Sequence, residues 1–148
     1  MRAGHLAVLA LACAAPSFAP ASALARAPGE ARETRHVTQT YLRAKPGLRA
    51  DLIAYLRANW FAMDRIGVER GLFTSYALLE RGDESQAEWD VIVTVGYPTE
   101  AGYDAPGVAE AFQAIRAAHR EVKIGGRGFA ELGEIVQHHP LAVVTHNP

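Results

Sequence analysis

The sequence predicts an α+β fold with the element order β-α-β-β-α-β. Two observations support this prediction: four segments are rich in β-branched and aromatic residues, and two others carry apolar residues every three or four positions. The first pattern is typical of strands and the second of amphipathic helices. Glycines and prolines separate these segments, which indicates where each element ends.

The first strand is predicted in "HVTQTYLRAKPG" (36–47), which is rich in β-branched and aromatic residues and stops at a Pro-Gly pair. The apolar residues that follow have helical spacing: Leu48, Leu52, Leu56, Trp60 and Met63. Four charged residues fall outside this stripe: Arg49, Arg57, Asp64 and Arg65. We therefore expect one amphipathic helix that ends near Gly67 or Gly71.

The other elements follow the same reasoning. Strands are expected at 72–81 and 89–97, on either side of the polar hairpin loop "GDESQAE". A second helix is expected at 108–122, with an apolar-side stripe of Val108, Phe112, Ile115, His119 and Val122. "KIGGRG" (123–128) predicts a helix break and a flexible loop. The fourth strand is expected within "FAELGEIVQHH" (129–139), before a short apolar tail.

This order is the split-βαβ pattern of a ferredoxin-like domain, in which two helices cover one face of a four-stranded antiparallel sheet. The other face of such a sheet is normally wet and polar. Here the strands at 72–81 and 89–97 place apolar side chains on both faces. The simplest cover for the open sheet face is the sheet of a second copy, so we predict a homodimer.

The segment "VTQTYLRAKPGLRADLIAYL", the two-faced strands and the second helix together resemble the dimeric α/β-barrel superfamily. The resemblance covers about residues 36–138. This group includes antibiotic-biosynthesis-type monooxygenases, haem-degrading oxygenases, muconolactone-isomerase-like enzymes and many stress-responsive proteins. The resemblance implies a dimeric α/β barrel with a ligand pocket between helices and sheet.

The resemblance also implies candidate site residues. Cofactor-free oxygenases of this superfamily use an Asn and a Trp to hold a planar aromatic substrate and dioxygen, and haem-degrading members add a His. Asn59 and Trp60 are neighbours on the first predicted helix, about 100° apart around its axis. His119 lies in the stripe of the second predicted helix, where an imidazole could move a proton or bind haem iron.

We accordingly predict that His119 and Asn59 are catalytic and that Trp60, Tyr76 and Arg127 bind substrate. Tyr97, Tyr103 and Trp89 are further candidates for the mouth of the pocket. The alternative is structural: Trp60 fills the core, Asn59 borders it, and His119 bonds to a backbone carbonyl or lies at the stripe edge. Strands and interfaces also favour tyrosine and tryptophan for packing alone.

These residues predict an exported protein that binds a small apolar or aromatic molecule, and that acts as a cofactor-independent oxygenase or isomerase if it is an enzyme. A non-catalytic envelope binding or stress protein is one alternative. Haem binding through His119 is another. No metal site is predicted, because His138 and His139 are adjacent in a strand and point to opposite faces. Nucleic acid is not expected as a partner, since no basic stripe occurs.

Residues 1–25 have the features of a Sec signal peptide, with an apolar run from Leu6 to Ala15 and an A-x-A ending. The run is too short to span a bilayer, which takes about 20 residues. We predict a periplasmic or secreted protein with a flexible tether at 26–35 and the domain at 36–148. Removal of the signal leaves 14 basic and 16 acidic residues.

Cys13 is the only cysteine in the chain. "LALAC" loosely resembles a lipobox, in which Cys13 would be acylated, but Ala10 stands where leucine is typical. Plain secretion is therefore preferred over a lipoprotein. A mature chain that starts at Arg26 has no thiol, so disulfides and a cysteine nucleophile are excluded, and the hydrophobic core must hold the domain together.

Overall fold

The computed structural model describes residues 32–82 and 88–144, which form a ferredoxin-like α+β fold. The strands are β1 (His36–Ala44), β2 (Ser75–Glu80), β3 (Val91–Tyr97) and β4 (Gly133–Ala142). The helices are α1 (Arg49–Ala58), α2 (Trp60–Glu69), α3 (Val108–Ala118) and the short α4 (Phe129–Leu132), with one 3-10 turn at Gly102–Asp104. The strands form one antiparallel sheet in the order β2-β3-β1-β4, which confirms the predicted fold class.

Several predictions concern parts of the chain outside the described residues. They include the signal peptide at 1–25 with Cys13, most of the tether, and the tip of the hairpin loop at 83–87. The described end of the tether hydrogen-bonds to the domain, since the Arg35 N–H donates to the Tyr97 carbonyl and Thr34 bonds to the Thr74 hydroxyl. Within 32–82 and 88–144, no helix has the length and apolar character needed to cross a membrane.

The register of the sheet separates its two faces. Leu42 lies opposite Val91, and both are fully buried beneath the helices. Tyr41, one residue earlier on β1, lies opposite Ile92 of β3. Ile92 in turn lies opposite Leu79 of β2, whose side chain is 49% exposed. Because side chains alternate along a strand, this second row lies on the face away from the helices. We call that face the outer face. Its residues are Val37, Gln39, Tyr41, Ala77, Leu79, Ile92, Thr94, His139 and Leu141. The prediction of apolar side chains on both faces is confirmed.

Two clusters of buried apolar side chains form the core on the helical face. One surrounds Leu42 and Leu52 beneath α1, and the other surrounds Phe73 and Phe112 beneath α2 and α3. Val95 packs against both. Within the second cluster the Phe73 ring lies so close to Gly67 of α2 that any Cβ there would be about 2.5 Å from it. α2 therefore packs tightly against the segment that leads into β2, and this contact helps to position the cavity between the helices and the sheet.

The prediction of one continuous first helix is wrong, because the helix breaks at Asn59 into α1 and α2. The φ and ψ angles of Asn59 are −113° and −66°. Its side-chain Nδ2 donates to the Tyr55 carbonyl at 2.9 Å, the same oxygen that accepts the Asn59 backbone N–H. An asparagine that bonds to the backbone in this way competes with the regular helical ladder, which accounts for the break.

The second predicted helix also ends early. α3 stops at Ala118, and His119 caps it with extended backbone angles of −77° and 132°. The expectation that His119 lies on the helical stripe is therefore wrong. The chain beyond it runs to a tight turn, in which Ile124 and Arg127 pair across Gly125 and Gly126. Both glycines have positive φ, as a two-residue hairpin turn of this kind requires.

The fourth strand is also shifted. "FAEL" forms α4 rather than strand, and β4 continues through Pro140 to Ala142, into the segment predicted as a tail. His138 and His139 of β4 point to opposite faces as expected: His138 bonds to the Thr40 hydroxyl, and His139 contacts the Tyr41 ring on the outer face.

Candidate functional site

A cavity of about 410 Å³ opens between the helices and the inner face of the sheet. α2, α3 and the 3-10 turn form one side of it, and β1, β3 and β4 form the other. Its apolar wall consists of Trp60, Met63, Val93, Val95 and Phe112. The volume falls in the range of small-molecule sites, which are mostly apolar with a few polar groups.

Asp64 is the main polar group of this cavity. It follows Trp60 by four residues on α2, so both side chains lie on the same face of the helix. The residue is only 6% exposed, and its carboxyl makes no hydrogen bond or ion pair with another residue of the described ranges. Burial raises the pKa of Asp64 to about 7, although the charge of Arg116 lowers it in part.

Tyr97 lies at the end of β3 and is 4% exposed. Its hydroxyl is 3.5 Å from the Thr38 hydroxyl of β1. Burial raises the pKa of the Tyr97 phenol, and the negative charge of Asp64 adds to this effect. Tyr97 therefore keeps its proton at neutral pH, so its O–H remains available as a donor inside the cavity.

The rim of the cavity carries further polar side chains. His36 of β1 meets the Tyr97 ring edge-on, with centroids 5.9 Å apart. Gly102 allows the 3-10 turn to approach this imidazole, because a Cβ there would be about 2.5 Å from it. On the other side the His138 Nδ1 lies 2.9 Å from the Thr40 hydroxyl. These contacts hold β1, β3, β4 and the 3-10 turn around the opening.

Arg116 lies at the mouth, on the last turn of α3. Its guanidinium carbon is 5.7 Å from the centre of the Phe112 ring, a cation–π distance. The structure shows no hydrogen bond or salt bridge from this guanidinium to any residue of 32–82 or 88–144. A positive charge is thus held at the entrance of an apolar cavity that has a carboxyl inside it.

Of the predicted site residues, Trp60 is the one that lines this cavity. Its indole also packs against Phe129, with centroids 5.5 Å apart. Tyr97 and Tyr103, named as candidates for the mouth, line the cavity as well. Trp89 lies elsewhere, with its ring against Tyr41.

Asn59 and His119 come together, but away from the cavity lining. The Asn59 Oδ1 accepts from His119 Nε2 at 3.0 Å and from the Val122 N–H at 2.8 Å. The Asn59 Nδ2 donates to the carbonyls of Tyr55 and Val122, both at 2.9 Å. We call this set of contacts the Asn59 clamp. It joins the break between α1 and α2 to the segment after α3.

The other two predicted binding residues have structural contacts. Tyr76 of β2 packs edge-on against Phe61, with centroids 4.8 Å apart. The Arg127 Nη1 donates to the Asp51 carboxylate at 3.2 Å, on the surface of the domain. Neither side chain lines the 410 Å³ cavity.

The haem-ligand prediction concerns His119, whose Nε2 is hydrogen-bonded to Asn59 and whose side chain does not line the cavity. Among the residues at 32–82 and 88–144, no group of three or more His, Cys, Asp or Glu side chains is arranged to hold a metal ion.

Asp64, Arg116 and Thr38 are among the site residues that the sequence reasoning missed. Asp64 was grouped with the charged residues outside the apolar stripe of the first helix. Its spacing of four from Trp60 is a signal that it could face inward. Arg116 follows Phe112 by four in the same way. Thr38 alternates with Val37 along β1, which marks it as facing the helices once the outer face is known.

Comparisons with known proteins support the fold. The chain matches no protein-family model and no curated protein. Among solved structures it is similar to HapK from Hahella chejuensis, with a TM-score of 0.51 and 10% identity over 76% of this chain and 96% of that one. It is also similar to PA3566 from Pseudomonas aeruginosa, with a TM-score of 0.49 and 16% identity over 76% and 97% of the two chains. The likeness to HapK is one of fold, so functional conclusions depend on the cavity itself.

Proposed function

We propose that this protein binds a small, largely apolar or aromatic molecule in the cavity between helices and sheet, and that Asp64 exchanges a proton with it. The observation that carries the proposal is the buried Asp64 carboxyl, which has no partner among the described residues and a pKa raised to about 7. Such a group can accept and return a proton at neutral pH. The proposal includes a periplasmic or secreted location, in line with the export signal predicted in residues 1–25.

The reaction that best suits a single carboxyl is a proton-transfer isomerisation. The Asp64 carboxylate takes a proton from a C–H next to a carbonyl, and the Tyr97 O–H stabilises the enolate oxygen. The protonated Asp64 then returns the proton to another atom of the same molecule. A cofactor-independent oxygenase would share the first step, after which the deprotonated substrate would react with dioxygen.

The Asn59 clamp has a supporting role in this proposal. It fixes the start of α2, the helix that carries Trp60 and Asp64, against the segment that follows α3. His119 contributes one of these contacts through Nε2. Since the Asn59 oxygen can only accept, Nε2 carries the proton in this contact.

Deuterium exchange into 2-tetralone, a two-ring ketone with acidic C–H bonds beside its carbonyl, tests the proton transfer. We expect the protein to accelerate exchange in D2O, measured by proton NMR, and Asp64→Asn to reduce that acceleration by about 100-fold, the usual contribution of a general base. Asp51→Asn, which removes a carboxylate of α1 away from the cavity, should keep the full rate.

Binding is measured separately in a Trp89→Phe background, where Trp60 is the only remaining tryptophan. Saturable quenching of Trp60 by 2-tetralone without accelerated exchange would favour the non-catalytic binding protein. Absence of both quenching and exchange would contradict the proposed function.

The proposal also includes a homodimer formed through the outer face. In support, Leu79 and Leu141 on this face are 49% and 42% exposed, and the Tyr41 ring lies between Trp89 and His139. We expect the protein to run as a dimer in size-exclusion chromatography with light scattering. Leu79→Glu should weaken the dimer at least about tenfold, because it would bury a charge without a partner.

Val122→Glu is the matched control for the dimer. Val122 is similarly exposed, at 47%, and lies outside the outer face in the segment after α3. A native chain that remains monomeric at micromolar concentration, or a dimer that Leu79→Glu leaves intact, would rule out pairing through this face.

A further inference from the structure

The cavity holds an acidic and a basic side chain, Asp64 and Arg116, that do not form a salt bridge with each other. Asp64 lies inside and is 6% exposed, while Arg116 lies at the mouth against the Phe112 ring. Within residues 32–82 and 88–144, no salt bridge joins the two side chains, and neither forms one with another residue. A cation at the mouth of an apolar cavity is a ready partner for an anionic group on the ligand.

The charges around Arg116 limit what that anionic group can be. His36 of β1, Tyr97 of β3, His138 of β4, and Tyr103 and Asp104 of the 3-10 turn are the other titratable groups that line the cavity. Asp104 is a second carboxylate near the opening, so it would repel a ligand with several negative charges. The apolar wall excludes charge from the interior. One negative charge at the rim can pair with Arg116, and an apolar body attached to it matches the apolar wall.

We infer that the ligand is an apolar or aromatic monocarboxylic acid, whose carboxylate binds Arg116 at the mouth while its apolar body lies between Trp60 and Phe112 beside Asp64. This inference rests on the proposed function and adds the substrate class and the residue that selects it. The carboxylate neutralises the Arg116 charge that otherwise favours ionised Asp64. Binding therefore increases the protonated fraction of Asp64, so the ligand anion and a proton bind together, and the ionised Asp64 that takes a C–H proton becomes the main bound form only at higher pH.

The test uses 2-naphthoate and its neutral analogue 2-naphthamide, with Trp60 fluorescence in the Trp89→Phe background. At pH 6 we expect naphthoate to bind about tenfold more tightly than naphthamide, the effect of one charge-assisted contact at a partly exposed site. Arg116→Gln should abolish this preference and Arg116→Lys should keep part of it. Arg57→Gln, which removes an exposed charge of α1, should leave it unchanged.

Equal binding of the two probes, or a preference that survives Arg116→Gln, would overturn the inference and leave the proposed function standing. If neither probe binds, the proposed function itself fails. In the native chain the affinity for naphthoate should also fall several-fold from pH 6 to pH 8, and in Asp64→Asn it should stay constant. A fall of the same size in Asp64→Asn would assign the pH dependence to His36 or His138 and would contradict the coupling to Asp64.

Discussion

In Asp64→Asn, the stability of the folded protein should depend less on pH than in the native chain. In the native chain the pKa of Asp64 is raised from 3.8 to about 7, so the folded state holds a proton that the unfolded state has released. Where the folded state binds more protons, stability falls as pH rises. The loss of stability begins near pH 4, continues to about pH 7, and then levels off.

The size of the expected stability change follows from the raised pKa of Asp64. Between pH 5 and pH 8, the free energy of unfolding of the native chain should fall by about 2 to 3 kcal/mol more than that of Asp64→Asn. Urea denaturation at pH 5, 6, 7 and 8 measures the difference. Glu110→Gln, which changes an exposed carboxylate of α3, is the control and should follow the native pH profile. Parallel profiles for Asp64→Asn and the native chain would contradict the buried, unpartnered carboxyl on which the proposed function rests.

Asn59→Ala should destabilise the fold by about 2 to 4 kcal/mol. Asn59 is 2% exposed and makes four side-chain hydrogen bonds, to Tyr55, His119 and both backbone groups of Val122. The substitution leaves the His119 Nε2 and both backbone groups of Val122 without their Asn59 partner, and it opens a small void between α1 and the segment after α3. Chemical denaturation measures the loss, and Gln113→Ala, an exposed position on α3, is the control.

His119→Ala should cost less, about 1 kcal/mol, because it removes a single hydrogen bond of the Asn59 clamp. In the double variant the two costs should not add, since both substitutions remove the same contact. A small loss in Asn59→Ala, below about 1 kcal/mol, would show that the clamp does not stabilise the junction. Additive costs would show that the Asn59–His119 contact contributes nothing of its own.

The sequence predicted the element order well because the signals are local. Alternation in "WDVIVTVGY" and helical spacing from Leu48 to Met63 are readable within short windows, and both correspond to elements in the structure. The errors at Asn59, His119 and Phe129 lie where side chains from distant segments meet. Asn59 breaks its helix while bonding to residues about 60 positions later, and that contact has no local signature.

In the candidate site, too, local sequence signals were predictive, whereas contacts between distant segments were not. Trp60 could be named because it lies in an apolar stripe on a helix. Asp64 could not, because a charged residue beside such a stripe is usually in solvent, and it is buried here because α2 packs closely over the sheet next to α3. Asn59 and His119 were chosen by residue type, and the structure pairs them with each other outside the cavity lining.

By itself, the sequence therefore determined the α+β class, the order of its elements and the two-faced character of β2 and β3, since each depends on residues close together in the chain. The tertiary structure alone decided that Asp64 and Arg116 share one cavity and that Asn59 joins two helices to the segment after α3. These contacts depend on how closely helices approach a sheet, and that distance is set by packing between residues far apart in sequence.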